Sequence, residues 1–351
     1  MVDYSMPVRI LTEQDLIDAK CFDMDFALSV VEDAFIKYAK GDVIFPDKVS
    51  VVFDQKTQDR INCLPAAIKS EKVYGMKWVS VFPQNPHQKG KANLTAVYIL
   101  SELESGYPIV FMEGSLCSNM RTAAVGGIAA KYLARKDSGV IGFIGAGEQA
   151  KSHLMAMKTA HPTIKKCYVA SRTEASENLF VEQMSRFYPD IVFEKCAGNY
   201  KKSVECADII VTAISGQEKI LQADWVKKGT FYCHVAGLED DFSVPKKADK
   251  IVCDNWEIVK HRTQTISQMY QLGLLDDADI YADLHEIVTQ VKKARETEDE
   301  FIYFNSVGMS FVDTLLAYRM YQKCVGAKKG RTIDLKEKSM FDFSPKKGLR
   351  K

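Results

Sequence analysis

Between residues 24 and 40, Phe26, Ala27, Val30, Val31, Ala34, Phe35 and Tyr38 recur at helical spacing, and Gly41 follows. That pattern predicts an amphipathic helix with a glycine stop. The period then shortens to that of strands. Residues 48–53, 61–64, 74–82 and 94–100 read as strands separated by polar or Pro/Gly turns. In the run Gly75-Met76-Lys77-Trp78-Val79-Ser80-Val81, alternation puts Lys77 on the same face as Val79 and Val81. Such a lysine stands either at a sheet edge or in deliberate burial.

From Ser118 the pattern changes. Residues 119–133 form a helix rich in small residues, among them Thr122, Ala123, Ala124, Gly126, Gly127, Ala129 and Ala130, which permit close packing. Strand and helix signals then alternate: strands at 140–144, 166–170, 191–194, 208–213, 230–235 and 250–253, and helices at 148–159, 174–187 and 201–206. This alternation is the signature of a parallel α/β sheet. No internal repeat is evident. Residues 326–351 hold nine Lys/Arg against three Asp/Glu and lack the aromatic interleaving suited to nucleic acid, which reads as a solvated tail.

The sharpest chemical signal lies at the first of these strand–helix junctions, Gly142-Phe143-Ile144-Gly145-Ala146-Gly147-Glu148-Gln149-Ala150. Gly145 permits a tight turn, Gly147 lets backbone approach a pyrophosphate, and Ala150 stays small where helix meets strand. The helix N-terminus adds a dipole and free N–H donors. The triple alone is a weak signal, but it sits where a dinucleotide site requires it, so residues 145–150 are expected to bind the cofactor. An enzyme that prefers NAD carries Asp or Glu at the end of the second strand, ~20 residues on. Here that strand ends in Ser171-Arg172-Thr173. A guanidinium and two hydroxyls suit a 2′-phosphate, so NADP(H) is favoured over NAD(H).

Composition narrows the remaining choices. The 351 residues suit about two domains, and 47 basic against 46 acidic residues give a net charge of +1, which points to neither nucleic acid nor a charged surface. No apolar stretch reaches the ~18 residues of a membrane span, and residues 1–9 lack the order of a secretory signal. Nine scattered cysteines form no CxxC pair and read as buried free thiols of a reducing cytoplasm. Six dispersed histidines make no zinc spacing, so no metal is expected. A GxSxG elbow and a GxxxxGK[ST] loop are both absent.

The chain resembles the ornithine cyclodeaminase/μ-crystallin family from Leu11-Thr12-Glu13 to about Gln322. The resemblance runs through Gly75-Met76-Lys77-Trp78-Val79, Ser118-Asn119-Met120-Arg121-Thr122-Ala123-Ala124, residues 142–150, Ala207-Asp208-Ile209-Ile210-Val211-Thr212-Ala213 and Phe304-Asn305-Ser306-Val307-Gly308-Met309. It implies an α/β protein and a homodimer. A Rossmann domain at 122–312 would sit beside an α+β substrate and dimerisation domain built from 1–121 and 313–351. It also implies that Lys77 and Arg121 hold a substrate carboxylate, which suits a bidentate guanidinium and a buried ammonium. Lys48 stands where family members often have arginine. Thr212, Ala213 and Gly308 would lie near the nicotinamide.

Two departures bear on the reaction. Cyclodeaminases follow a glycine pair directly with an aspartate, whereas Val235-Ala236-Gly237-Leu238-Glu239-Asp240 displaces the carboxylates by one and two places. Asn62 likewise stands where cyclodeaminases tend to carry glutamate. Other stretches, among them Asn85-Pro86, Asp224-Trp225 and Lys228-Gly229, are similar to a dehydrogenase branch that splits an amino acid–glutamate conjugate. In that branch Lys48, Lys77, Lys91 and Arg121 would supply charge for a polycarboxylate. The expectation is an oxidoreductase of an amino-acid or imine C–N bond, with Lys77 and Glu239 or Asp240 handling protons. A cyclodeaminase with internally recycled NAD and a non-enzymatic NADPH-binding protein are the alternatives.

Overall fold

The computed structural model describes residues 3–342, apart from Gln55, Ser215 and the side chain of His87. Two eight-stranded sheets organise it. The first runs in the order Arg331–Asp334, Pro7–Leu11, Pro108–Glu113, Leu94–Glu102, Val73–Val81, Asp59–Ile68, Val43–Ile44, with Val49–Asp54 also pairing with Asp59–Ile68. Pro7–Leu11 and Pro108–Glu113 are parallel, and the other ladders are antiparallel. The start of the basic tail is therefore an edge strand, with Arg331–Asp334 exposed but hydrogen-bonded to Pro7–Leu11, and not a loose segment. Residues 343–351 of that tail lie outside the described residues.

Strand Val73–Val81 turns Val73, Gly75, Lys77 and Val79 inward and Tyr74 and Trp78 outward. The alternation thus resolves in favour of burial for Lys77. Helix Ser310–Gly326 lies over this strand and its neighbour Asp59–Ile68. Gly75 allows the approach, since a β-carbon there would meet Thr314 Cγ2 and Leu100 Cδ2, each at 2.8 Å.

The second sheet is parallel throughout, in the order Val192–Lys195, Lys166–Ala170, Val140–Ile144, Ile209–Thr212, Phe231–His234, Ile302–Asn305, Lys250–Cys253, Ala282–Asp283. Chain order reverses on either side of Val140–Ile144. That reversal opens a crevice at the carboxyl ends of Val140–Ile144 and Ile209–Thr212, where ligands of open α/β sheets bind.

Helix Ser115–Leu133 joins the two sheets, starting four residues before the expected position. It packs on Met24–Ala39, Glu148–Ala160, Leu94–Glu102 and Phe231–His234. Its small residues are needed there: a β-carbon on Gly127 would meet Leu28 Cδ2 at 2.7 Å. One continuous apolar core contains Leu11 and Val110 of the first sheet, Ala123 and Ala124 of this helix, and Phe143 and Phe304 of the second. The expected boundaries at 121/122 and 312/313 fall inside helices Ser115–Leu133 and Ser310–Gly326, so the two units share helices. No helix among the described residues is long and apolar enough to cross a membrane. Of the nine free cysteines seven are buried, while Cys63 is half-buried and Cys206 is exposed, so the expectation of burial fails for these two.

Candidate active site

The inward face of Val73–Val81 delivers Lys77 to Asp313 on the helix above it. Asp313 Oδ1 accepts hydrogen bonds from Lys77 Nζ at 2.9 Å, Arg121 Nε at 2.9 Å and Tyr98 Oη at 2.7 Å, and its Oδ2 lies 2.8 Å from Lys77 Nζ. One buried carboxylate therefore serves two buried cations. Burial pushes Lys77 down to about 8, with the Arg121 charge adding to the effect and Asp313 resisting it. Burial works against ionisation of Asp313 as well, but Arg121 and Lys77 outweigh it and hold the carboxyl below its usual range. Arg121 is also opposed by burial and kept charged by Asp313. Asp313 was not foreseen. Its only sequence signal is a lone acid in the apolar run Phe311-Val312-Asp313-Thr314-Leu315-Leu316.

The turn before that helix fits closely over Arg121. Gly308 has φ +84°, and a β-carbon there would lie 2.0 Å from Arg121 Nη1. Asp254, at the end of strand Lys250–Cys253, fixes the turn. Its Oδ2 accepts from Ser306 Oγ at 3.0 Å, Val307 N at 2.8 Å and Gly308 N at 2.7 Å. Among the described residues the terminal nitrogens of Arg121 make no hydrogen bond, and Arg121 lines a cavity together with Gly308, Lys77, Lys48 and Asn62. Asn62 is 6% exposed and its Oδ1 has no partner among the described residues. The same cavity is lined by Arg60 and Arg262. Lys48 is pushed down to about 8, by burial first and then by the charges of Arg262, Arg60 and Lys77. Lys91 is exposed and lies outside this lining.

The crevice of the second sheet is built around residues 145–150. Gly145 N donates to Ala170 O at 2.8 Å, which ties the turn to the end of the second strand. Gly145 has φ +107°, and a β-carbon would lie 2.4 Å from Ala213 O, so only glycine fits. Gly147 meets nothing within 4 Å at its β-carbon position and begins helix Glu148–Ala160 without a side-chain cap. The N–H groups of that first turn, at Glu148, Gln149 and Ala150, are left for a ligand, and an anion is the ligand they favour. Ala146 and Ala150 are buried, and Glu148 is exposed beside Lys151. Gln149 Nε2 donates to Asn119 Oδ1 at 2.6 Å. A dinucleotide pyrophosphate fits this open, uncapped turn.

Glu177 organises the end of the second strand, a role that the sequence reading missed. Fully buried, it accepts from Ser171 N, Ala197 N and Gly198 N, each at 2.9 Å. Its charge is thereby spent on backbone. Ser171 Oγ donates to Thr173 O, and Thr173 caps helix Glu174–Phe187. Arg172 is exposed and makes no hydrogen bond or ion pair among the described residues.

Glu239 and Asp240 are not brought to the cavity. Both are fully buried and absent from its lining. Glu239 Oε2 accepts from Thr212 Oγ1 at 2.7 Å and Ala236 N at 3.1 Å, and its Oε1 accepts from Ile214 N at 2.7 Å. Asp240 Oδ1 accepts from Thr265 Oγ1 at 2.7 Å and lies 3.4 Å from His234 Nε2, and burial pushes the group up to about 6. Their hydrogen bonds are made within the folded strand ends, to Thr212, Ile214, Ala236 and Thr265. Thr212 is buried with its hydroxyl held by Glu239, while Ala213 touches the Gly145 turn. Among the described residues no cluster of three metal-ligating side chains occurs.

Comparison with known proteins extends this geometry. The model of the ornithine cyclodeaminase/mu-crystallin family matches residues 10–328. The chain is 31% identical to alanine dehydrogenase of Archaeoglobus fulgidus over 336 residues, covering 93% of this chain and 98% of that protein. It is 30% identical to N-((2S)-2-amino-2-carboxyethyl)-L-glutamate dehydrogenase of Staphylococcus aureus over 312 residues, covering 88% and 93%. The solved Thermococcus litoralis Δ1-pyrroline-2-carboxylate reductase, in complex with NADH and L-proline, superposes with a TM-score of 0.88 at 30% identity, over 93% of this chain and all of that one. With two sheets, a shared helix and the full run of motifs in place, the chain belongs to the ornithine cyclodeaminase/μ-crystallin family.

Proposed function

We propose that the chain is an NAD(P)(H)-dependent oxidoreductase that interconverts an α-amino acid and its imine, with NADP(H) preferred. One observation carries the reading. Asn119, which receives Gln149 from the cofactor helix, and Arg121, which faces the cavity, stand two positions apart on one helix. The anion-binding turn and the carboxylate grip are thus fixed by the same rigid element. The relatives support the class: by name they act on alanine, on pyrroline-2-carboxylate and on N-((2S)-2-amino-2-carboxyethyl)-L-glutamate. Two of the solved relatives hold NADH or NAD.

Residues 145–150 would hold the pyrophosphate, and Ser171, Arg172 and Thr173 the 2′-phosphate. Bound there, the nicotinamide supplies or accepts a hydride. Arg121 and Lys77 grip the carboxylate and set the substrate's orientation. Lys77, brought to about 8, holds a proton at Nζ near neutral pH for the reacting nitrogen. Gly308 keeps the turn thin above the guanidinium. Residues 1–121 and 313–351 act as the substrate and dimerisation domain, and 122–312 as the cofactor domain. Val49, Val51 and Phe53 on the strand Val49–Asp54, each more than half exposed, offer an apolar face for a second copy. The alanine dehydrogenase neighbour is a dimer.

The test is fluorescence titration with NADPH and NADH, followed in the same cuvette by amino acids and cyclic imines while reduced-nicotinamide absorbance is read. Tighter binding of NADPH, with consumption on an imine or production on an amino acid, is expected. Arg172→Ala should weaken NADPH about 10- to 100-fold and leave NADH unchanged, as loss of charge-assisted hydrogen bonds predicts. Ammonia release without net absorbance change would replace the reading by a cyclodeaminase. Binding without turnover would replace it by a binding protein.

A further inference from the structure

Sheet order sets the direction in which a dinucleotide would lie. Strands Lys166–Ala170, Val140–Ile144, Ile209–Thr212 and Phe231–His234 stand side by side. With a 2′-phosphate at residues 171–173, beyond the first, and the pyrophosphate at 145–150, beyond the second, the nicotinamide half would fall over the ends of the third and fourth. The Gly308 turn above Arg121 starts from that same side. Asn305 pairs with His234, and Ser306 N donates to His234 O at 3.2 Å.

Two separate loops leave those strand ends, and one side chain ties them together. Glu239 Oε1 accepts from Ile214 N, and its Oε2 accepts from Thr212 Oγ1 and Ala236 N. Its backbone carbonyl accepts from Ile220 N at 3.0 Å and Leu221 N at 3.1 Å. The carboxylate thus holds the residues on both sides of Ala213. Ala213 N donates to Ile144 O at 2.9 Å, and Ala213 O lies against the Gly145 turn. One fully buried acid therefore fixes both strand ends and backs the phosphate turn. Only a carboxylate accepts at both of its terminal atoms, as these donors require.

We infer that Glu239 is a positioning residue of the cofactor site: it holds the ends of Ile209–Thr212 and Phe231–His234 at the spacing that receives the nicotinamide. The inference rests on the proposed reading of residues 145–150 and 171–173 as the pyrophosphate and 2′-phosphate sites. Glu239 acts from behind the crevice wall, through Thr212, Ile214 and Ala236, and moves no proton to the substrate.

Calorimetric titration of the full chain with NADPH and NADH, each beside its nicotinamide-free counterpart, 2′-phospho-ADP-ribose or ADP-ribose, isolates the nicotinamide half. In Glu239→Gln one terminal oxygen becomes a donor, and at least one strand end loses its acceptor. Affinity for the better reduced dinucleotide should fall about tenfold, the scale of one lost buried hydrogen bond, while affinity for its counterpart stays within about twofold. Asp208→Asn is the comparison. Asp208 is buried at the opposite end of the same strand, where it accepts from Gly139 N at 2.9 Å and Val140 N at 3.0 Å. Its loss should lower the melting temperature and leave the ratio of the two affinities unchanged. Where Glu239→Gln does not fold, Glu239→Asp, whose carboxylate stops one carbon short, should shift the ratio in the same sense. Equal losses for the two ligands, or an unmoved ratio, would overturn the positioning role and leave the cofactor reading intact. An unaltered protein that binds neither dinucleotide would remove the cofactor reading and this inference with it.

Discussion

A β-carbon on Gly308 would lie 2.0 Å from Nη1 of Arg121, so the turn closes over the carboxylate grip only where residue 308 has no side chain. The backbone conformation adds to this, because φ +84° is the left-handed region. Gly308→Ala should therefore raise the KM for the substrate at least tenfold and destabilise the fold by about 1–3 kcal/mol. NADPH titration and a thermal melt beside the kinetics would check this. A KM within twofold of the original would show that Arg121 does not grip substrate from this position.

Asp313 is the counter-charge for both Lys77 and Arg121, and all three are buried. Removing its charge leaves two cations without a buried anion, a situation that costs about 3–5 kcal/mol in comparable sites. Asp313→Asn should lower unfolding free energy by that order in urea at pH 7. The loss should shrink as pH rises towards about 8 and level off above it, because without Asp313 Lys77 sheds its proton more readily than in the unaltered protein and relieves the repulsion. A loss that is the same at pH 7 and pH 9.5 would contradict a charge-based role.

Lys48 and Lys77 are both brought down to about 8 from an ordinary 10.5. Anion affinity therefore falls as pH rises through 8, by up to about tenfold per unit for each proton lost. Stability moves the other way. Between about 8 and 10.5 the unfolded chain binds more protons at these lysines than the folded one, so their contribution to unfolding free energy rises with pH. Propionate titration of the NADPH-loaded protein from pH 6.5 to 9.5 reads the first trend, and Lys48→Arg should flatten part of it. A pH-independent affinity would mean that neither lysine meets the anion.

The residues that were legible in the sequence are those whose role is set by local backbone. Gly145, Gly147 and Ala150 could be placed because a strand leads in and a helix leads out. Lys77 stood out because period-2 alternation put a charge on an apolar face. Asp313 did not, since helix Ser310–Gly326 is buried through most of its length and shows no polar stripe against which an inward acid would be noticed. Strand Ile302–Asn305 is four buried residues, too short for a periodic signal. Arg60 and Arg262 look like ordinary solvated charges until the fold brings a strand and a distant loop to one cavity. Glu239 and Asp240 sat next to a family motif, yet their partners Thr212, Ile214 and Thr265 are chosen by strand-end packing that spacing cannot reveal.

One apolar core runs from Leu11 and Val110 through Ala123 and Ala124 to Phe143 and Phe304, so the first sheet has no interior apart from the second, while the second packs a further cluster of its own around Ile210, Tyr232 and Tyr303. Cutting the chain inside either shared helix would strip apolar faces from both halves, so neither half keeps all of its packing without the other. A new substrate pocket cannot be grafted onto it as a cassette. Within this architecture, a change of substrate has to be made side chain by side chain along the walls of the cleft.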